Sequence, residues 1–196
     1  KENRIHHIKR DIDKMYVILP FEKEFYEEKH QMPVTFVGHP LIDAIANRPK
    51  ADAKTLRKTY GLSEKPIVAL LPGSRQQEIK KMLHVMLSVV DAFPEYQFVI
   101  AGAPSQAKAF YQKFIKNKNI KLVSNATYDL LSIAQAALVT SGTATLETAL
   151  FKVPQVVCYK SSWLSYQIGK QVVKLNYILM VHPTRSTEVD CDWPQI

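Results

Sequence analysis

Two short segments of this chain place small residues, hydroxyls and one charged side chain in the order that an anion-binding loop requires. Gly73-Ser74-Arg75 follows the apolar run Ile67-Val68-Ala69-Leu70-Leu71 and Pro72, and precedes a helical pattern. Glycine lets a ligand approach the backbone, Ser74 adds a hydroxyl, and Arg75 offers a planar fork matched to phosphate oxygens. The first amides of the following helix, and the positive end of its dipole, face the same space. The tripeptide alone also suits a plain turn, but its position between a buried strand and a helix favours an anion site. GxxxxGK is absent, so this is not the P-loop of nucleotide hydrolases. The second segment, Ser141-Gly142-Thr143-Ala144-Thr145-Leu146-Glu147, repeats the design after Ala136–Thr140. Glu147 falls one turn into its helix, where a carboxylate can accept both hydroxyls of a ribose while the amides hold a diphosphate. The same residues also read as an ordinary helix start, capped by Ser141 or Thr143, with Glu147 favoured by the dipole. Two such loops in one chain favour the ligand reading.

The elements that must position these loops alternate between strand and helix from about residue 63 onward. Ile67–Leu71 is a continuous apolar run, as expected of a strand buried on both faces. Ile79, Met82, Leu83, Met86, Val89, Val90 and Phe93 then recur at helical spacing. Phe98–Ala101, Ile120–Val123, Ala136–Thr140 and Gln155–Tyr159 predict further strands. Helices are expected with Phe110 and Phe114 on one face, over Tyr128–Ala134, and over Thr143–Phe151. Such alternation predicts an α/β fold, a Rossmann-like parallel sheet with helices on both faces, whose ligands bind beyond the carboxyl ends of the strands. The first sixty residues differ. Met15–Leu19 and Val34–Val37 read as strands around a short helix from Phe21 to Glu28, too little to bury a core alone, and Ala46–Thr59 reads as linker and lead-in helix.

Composition narrows the class. The chain has 196 residues, of which 46% are hydrophobic and 22% charged, ordinary values for a soluble globular protein. Cys158 and Cys191 lack CxxC spacing, so neither a disulfide framework nor a zinc site is indicated, and a reducing, cytoplasmic compartment fits. No apolar run approaches the ~20 residues of a membrane span, and the start, from Lys1 to His7, lacks the apolar core of a signal peptide. His6 and His7 read as solvated residues of a frayed end. The net charge is +8. Five lysines (Lys108, Lys113, Lys116, Lys118 and Lys121) and no acid lie between Glu95 and Asp129, and five basic residues and no acid between Glu147 and Glu188. One-signed stretches suit an anionic partner or a basic solvated surface equally. Trp163, Tyr166, Lys170, Lys174 and Tyr177 fall roughly on one helical face, which fits a membrane interface or a partner domain. His39 suits an interdomain hinge or an ordinary linker.

Leu19-Pro20-Phe21-Glu22, Val37-Gly38-His39-Pro40-Leu41-Ile42-Asp43, Leu70-Leu71-Pro72-Gly73-Ser74-Arg75, the Ser141–Glu147 loop and Val153–Lys160 together resemble the lipid-A-disaccharide synthase family, from about Met15 to Ile178. The resemblance implies the C-terminal, donor-binding half of a GT-B glycosyltransferase. It implies substrates that are UDP-diacylglucosamine and diacylglucosamine 1-phosphate, joined with inversion and release of UDP, and neither a metal nor another cofactor. Substrate binding falls to Gly73, Ser74, Arg75, Ser141, Gly142, Thr143, Ala144 and Glu147, with Arg75 also stabilising the leaving group. Residues 1–43 are then the end of an N-terminal acceptor domain and 44–62 a linker with lead-in helix. Residues 63–178 form the nucleotide-sugar-binding domain, and 179–196 an atypical tail in which Met180–Ser186 replaces an expected Asn-containing loop. The general base belongs to the acceptor domain, so this chain alone is expected to be inactive. The implied setting is the cytoplasmic face of the inner membrane, held peripherally by anionic lipid; a homo-oligomer is left open. Two rivals remain: another GT-B-like UDP-sugar enzyme such as a UDP-N-acetylglucosamine epimerase, and a basic nucleic-acid-binding module. The PGSR and GHP segments speak against the first. The second lacks any recognised nucleic-acid motif, so no nucleic-acid partner is expected.

Overall fold

The computed structural model describes residues 4–49, 51–115 and 119–158. The chain divides into two compact units, Lys1–Lys50 and Ala51–Ile196.

The first unit contains α1 (Arg4–Asp11), β1 (Tyr16–Val17), α2 (Pro20–Glu24), a π-helical turn over Phe25–Lys29, β2 (Thr35–Phe36) and α3 (Pro40–Ala46). β1 and β2 pair in parallel, Tyr16 opposite Thr35 and Val17 opposite Phe36. Both strands are shorter than the apolar runs predict, and for β1 the cause is local. Glu22 Oε2 accepts hydrogen bonds from the amides of Ile18 (3.1 Å) and Leu19 (2.9 Å), taking the donors that a longer strand would use. Pro20 then stands at the first turn of α2, where a missing N–H costs nothing. His39 Nδ1 accepts from the Leu41 amide at 3.2 Å and caps α3, a helix that sequence periodicity did not reveal. α1 was also not expected; His6 and His7 are exposed on it, while Ile5 is its buried residue.

The second unit opens with α4 (Ala53–Tyr60), capped by Asp52, whose Oδ1 accepts from the Thr55 amide at 3.0 Å. Gly61, at φ +62°, closes it in the left-handed conformation. The sequence then alternates β3 (Ile67–Leu71), α5 (Gln76–Leu87), β4 (Gln97–Gly102), α6 (Lys108–Gln112), β5 (Lys121–Ser124), α7 (Thr127–Ile133), β6 (Ala136–Thr140), α8 (Thr143–Leu150) and β7 (Gln155–Cys158). The five strands form a wholly parallel sheet in the order β5-β4-β3-β6-β7.

The pleat of β3 sends alternate residues to two cores. Ile67, Ala69 and Leu71 join Val99, Val123, Leu130, Leu131 and Val139 on the face covered by α7. Val68 and Leu70 join Ile79, Leu83, Met86, Ile100 and Tyr111 on the face covered by α5 and α6. The strand is buried at every position, which explains why its sequence is continuously apolar rather than alternating. The helix expected to carry Phe110 and Phe114 ends at Gln112. The side chain it buries fully is Tyr111, while Phe110 and Phe114 meet edge to face at 5.6 Å.

Candidate functional site

The chain builds β4 and β5 on one side of β3 and then returns to build β6 and β7 on the other. Where the order reverses, the loops leaving two neighbouring strands part in opposite directions and open a crevice above the carboxyl ends. β3 and β6 are those strands, with Leu71 opposite Val139. The loops that leave them are 72–75 and 141–142, which run into α5 and α8.

A cavity of about 390 Å³ occupies this position, within the range of roughly 300–1,000 Å³ typical of small-molecule sites. Gly73, Ser74, Arg75, Ser141, Gly142, Thr143, Ala144 and Glu147 all line it. Two segments almost seventy residues apart in sequence therefore meet in one cleft. Arg75, the N-cap of α5, makes no side-chain cap bond, and Gly142, the N-cap of α8, has no side chain with which to make one. The Thr145 amide donates to the Gly142 carbonyl at 3.1 Å, and the earlier first-turn amides of both helices are left as donors for a ligand.

Internal bonds hold the loops in shape. Thr145 Oγ1 donates to the Gly142 carbonyl at 2.6 Å, and Gln155 Nε2 donates to the Thr145 carbonyl at 2.9 Å. The Ser74 carbonyl accepts from Gln106 Nε2 at 3.1 Å and from Ser105 Oγ at 3.3 Å, tying the β3–α5 loop to the β4–α6 loop. Gly73 has φ +98°, and a Cβ there would lie 2.9 Å from Glu78 Oε2. That close approach serves Arg75: its Nη1 donates to Glu78 Oε1 at 2.9 Å, with 82% of the arginine side chain exposed. An exposed ion pair of this kind is worth about 0–1 kcal/mol, so a phosphate group can take the fork over. Glu147 lies across the cleft, its Oε1 accepting from the Tyr128 hydroxyl at 3.1 Å. Burial, and then the Glu147 carboxylate, push the Tyr128 hydroxyl above its ordinary pKa.

Several cleft residues were not foreseen. Glu78 sits three residues after the N-cap, the spacing of a capping box, and that spacing is a usable sequence signal. Ala103 and Pro104 come from the end of β4, a third strand-to-helix junction beside the other two. Thr140, whose buried Oγ1 makes no hydrogen bond among the described residues, also lines the cleft. Tyr128 had no local signal, because its partner is nineteen residues away. The lysines expected to form a basic surface play no part here: Lys108, Lys113 and Lys121 are exposed and do not line the cleft. Lys116, Lys118, Lys160, Cys191, the Trp163–Tyr177 face and the 179–196 tail lie outside the described residues.

A parallel sheet wound both ways from β3, with an open cleft over its switch point, defines the Rossmann-like class of α/β protein found in the C-terminal half of GT-B enzymes. The solved "S. aureus MnaA-UDP co-structure" shares this fold, with a TM-score of 0.57 at 16% identity, covering 76% of this chain and 42% of that one. The family model for lipid-A-disaccharide synthetase matches residues 1–182, and the chain belongs to that family. It is 40% identical over 180 residues to the lipid-A-disaccharide synthase of Coxiella burnetii (strain Dugway 5J108-111), covering 89% of this chain and 47% of the relative. Against that of Anaeromyxobacter sp. (strain K) it is 36% identical over 190 residues, covering 93% and 49%. The synthase of Syntrophus aciditrophicus (strain SB) is 40% identical over 190 residues, again covering 93% and 49%. The chain thus spans about half the length of the curated relatives it matches.

Proposed function

We propose that this chain supplies the donor side of a lipid-A-disaccharide synthase, which moves 2,3-diacylglucosamine from UDP to 2,3-diacylglucosamine 1-phosphate and releases UDP. The observation that carries the reading is the meeting of both hydroxyl-rich loops, each opening a helix, in one cleft at the sheet's switch point. In this reading the amides of α5 and α8 hold the diphosphate, and Arg75 leaves Glu78 to pair with it. Negative charge grows on the diphosphate as the glycosidic bond to the sugar breaks, and donors already aimed at that charge lower the barrier. Glu147 accepts the ribose hydroxyls. Among the described residues no helix is long and apolar enough to cross a membrane. Because both substrates are lipids, the enzyme works at the surface of a bilayer, reaching them from the cytoplasmic face.

Calorimetric titration of the chain with UDP tests the reading. Arg75→Ala should weaken binding by roughly 1.5–3 kcal/mol, the range for a hydrogen bond to a charged group. Arg75→Lys should recover only part of the loss, since an ammonium lacks the planar fork. Absence of UDP binding by the unaltered chain sinks the reading; unchanged affinity in Arg75→Ala removes the arginine from the site.

A further inference from the structure

Glu147 stands on α8, but the group that fixes its carboxylate comes from a different helix. Tyr128 belongs to α7 and donates its hydroxyl to Glu147 Oε1 at 3.1 Å. Its ring packs against Phe151, with centroids 5.4 Å apart, and Phe151 is the C-cap of the helix that bears Glu147. α7 is itself anchored, because Asp129 Oδ2 accepts from the Tyr60 hydroxyl of α4 at 2.7 Å. Thr127, one residue before Tyr128, lines the same cleft as Glu147. One carboxylate oxygen is therefore engaged by a hydroxyl whose ring is wedged on the carboxylate's own helix, and the other is available to a ligand that enters. A glutamate left to itself distributes over several rotamers and must give up that freedom on binding.

We infer that Tyr128 is a positioning residue for recognition of the ribose diol: it holds Glu147 in the one orientation that presents its second oxygen to the ligand's hydroxyls. The inference rests on the reading of the cleft as a UDP site with Glu147 at the ribose. It makes the diol-selective part of the affinity depend on a helix that makes no bond to the ligand's hydroxyls itself.

The test is calorimetry with UDP and 2′,3′-dideoxy-UDP on the unaltered chain, Tyr128→Phe, Glu147→Ala and the double variant. Phenylalanine keeps the ring contact with Phe151 and removes only the hydroxyl. Tyr128→Phe should weaken UDP roughly tenfold and change 2′,3′-dideoxy-UDP by less than about twofold. In the Glu147→Ala background it should have no further effect on UDP. Equal losses for both ligands would mean that Tyr128 merely supports the packing of α7, and would overturn the inference, as would unchanged UDP affinity. If the unaltered chain binds UDP no better than the dideoxy analogue, the assignment of Glu147 fails first; if it binds neither, the functional reading itself fails.

Discussion

Gly73 shows how closely one loop residue can be tied to the chemistry above it. Its φ of +98° and the approach of Glu78 are separate constraints on the same atom that glycine lacks. Gly73→Ala should lower stability by about 1–2 kcal/mol from the backbone alone, and should also push the Glu78 carboxylate away from Arg75. The two contributions can be separated in a double-mutant cycle, with urea midpoints as the readout. Glu78→Ala removes the carboxylate contact and keeps only the one to its Cβ at 3.3 Å, so adding Gly73→Ala to it should retain the backbone cost and lose most of the steric part. A cost that vanishes altogether in that background would show that φ at position 73 is unstrained for alanine. At this scale the sequence was informative about cleft-lining residues that belong to a local pattern. Gly73, Ser74, Arg75, Ser141, Gly142, Thr143, Ala144 and Glu147 could be picked out because each loop follows a strand and opens a helix. Glu78 was marked only by its capping-box spacing from Arg75, and Tyr128 could not be picked out at all, since it matters through a contact with another side chain and not through its place in a motif.

Among the elements, β3 and β4 were readable because burial at every position keeps them almost continuously apolar, while β5, β6 and β7, only partly buried, were readable from shorter apolar runs. The first unit obeyed different rules. Glu22 captured two amides that would have lengthened β1, and His39 with Pro40 started a helix where the apolar pattern showed none. α6 illustrates a third case: aromatic spacing drew attention to Phe110 and Phe114, whereas the residue that fixes the element is Tyr111. Its fully buried hydroxyl accepts from the Ala103 amide at 2.9 Å, in the loop that reaches the cleft. Burial raises the pKa of this hydroxyl above its ordinary value, with the Ala103 bond a smaller, opposing influence. A proton is therefore bound more tightly in the folded state than in the unfolded one. The corresponding stability is fully present below the ordinary tyrosine pKa of about 10 and is lost as pH rises through the folded value. Tyr111→Phe should cost about 1–3 kcal/mol near neutral pH, because it leaves the Ala103 amide unpaired. Its urea midpoint should fall less steeply than that of the unaltered chain above about pH 10. Parallel decline of the two midpoints would show that Tyr111 does not contribute to alkaline sensitivity.

For the molecule as a whole, the pairing of Val68 with Ala136 and of Leu71 with Val139 sets an order of events in time. β3 is expected to meet β4 early, since only residues 72–96, holding α5 and a 3-10 turn over Val90–Ala92, separate them. It meets β6 only after β4, α6, β5 and α7 have been accommodated, and closing that long excursion is among the slowest steps available to a parallel sheet. The cleft does not exist until it is closed. A ligand that binds there finds no purchase on the chain while it is still collapsing, and adds its stabilisation on the native side of the barrier. Stopped-flow jumps in urea should therefore show UDP slowing unfolding while leaving the refolding rate unchanged. At a concentration about 100 times Kd the stabilisation is about 2.7 kcal/mol, or roughly a hundredfold in the unfolding rate. Faster refolding with UDP would mean that β3 and β6 are already joined at the barrier. If the cleft takes UDP as proposed, the nucleotide is no template for the fold; it is a brake on its loss, prolonging the lifetime of each folded molecule without hastening the making of one.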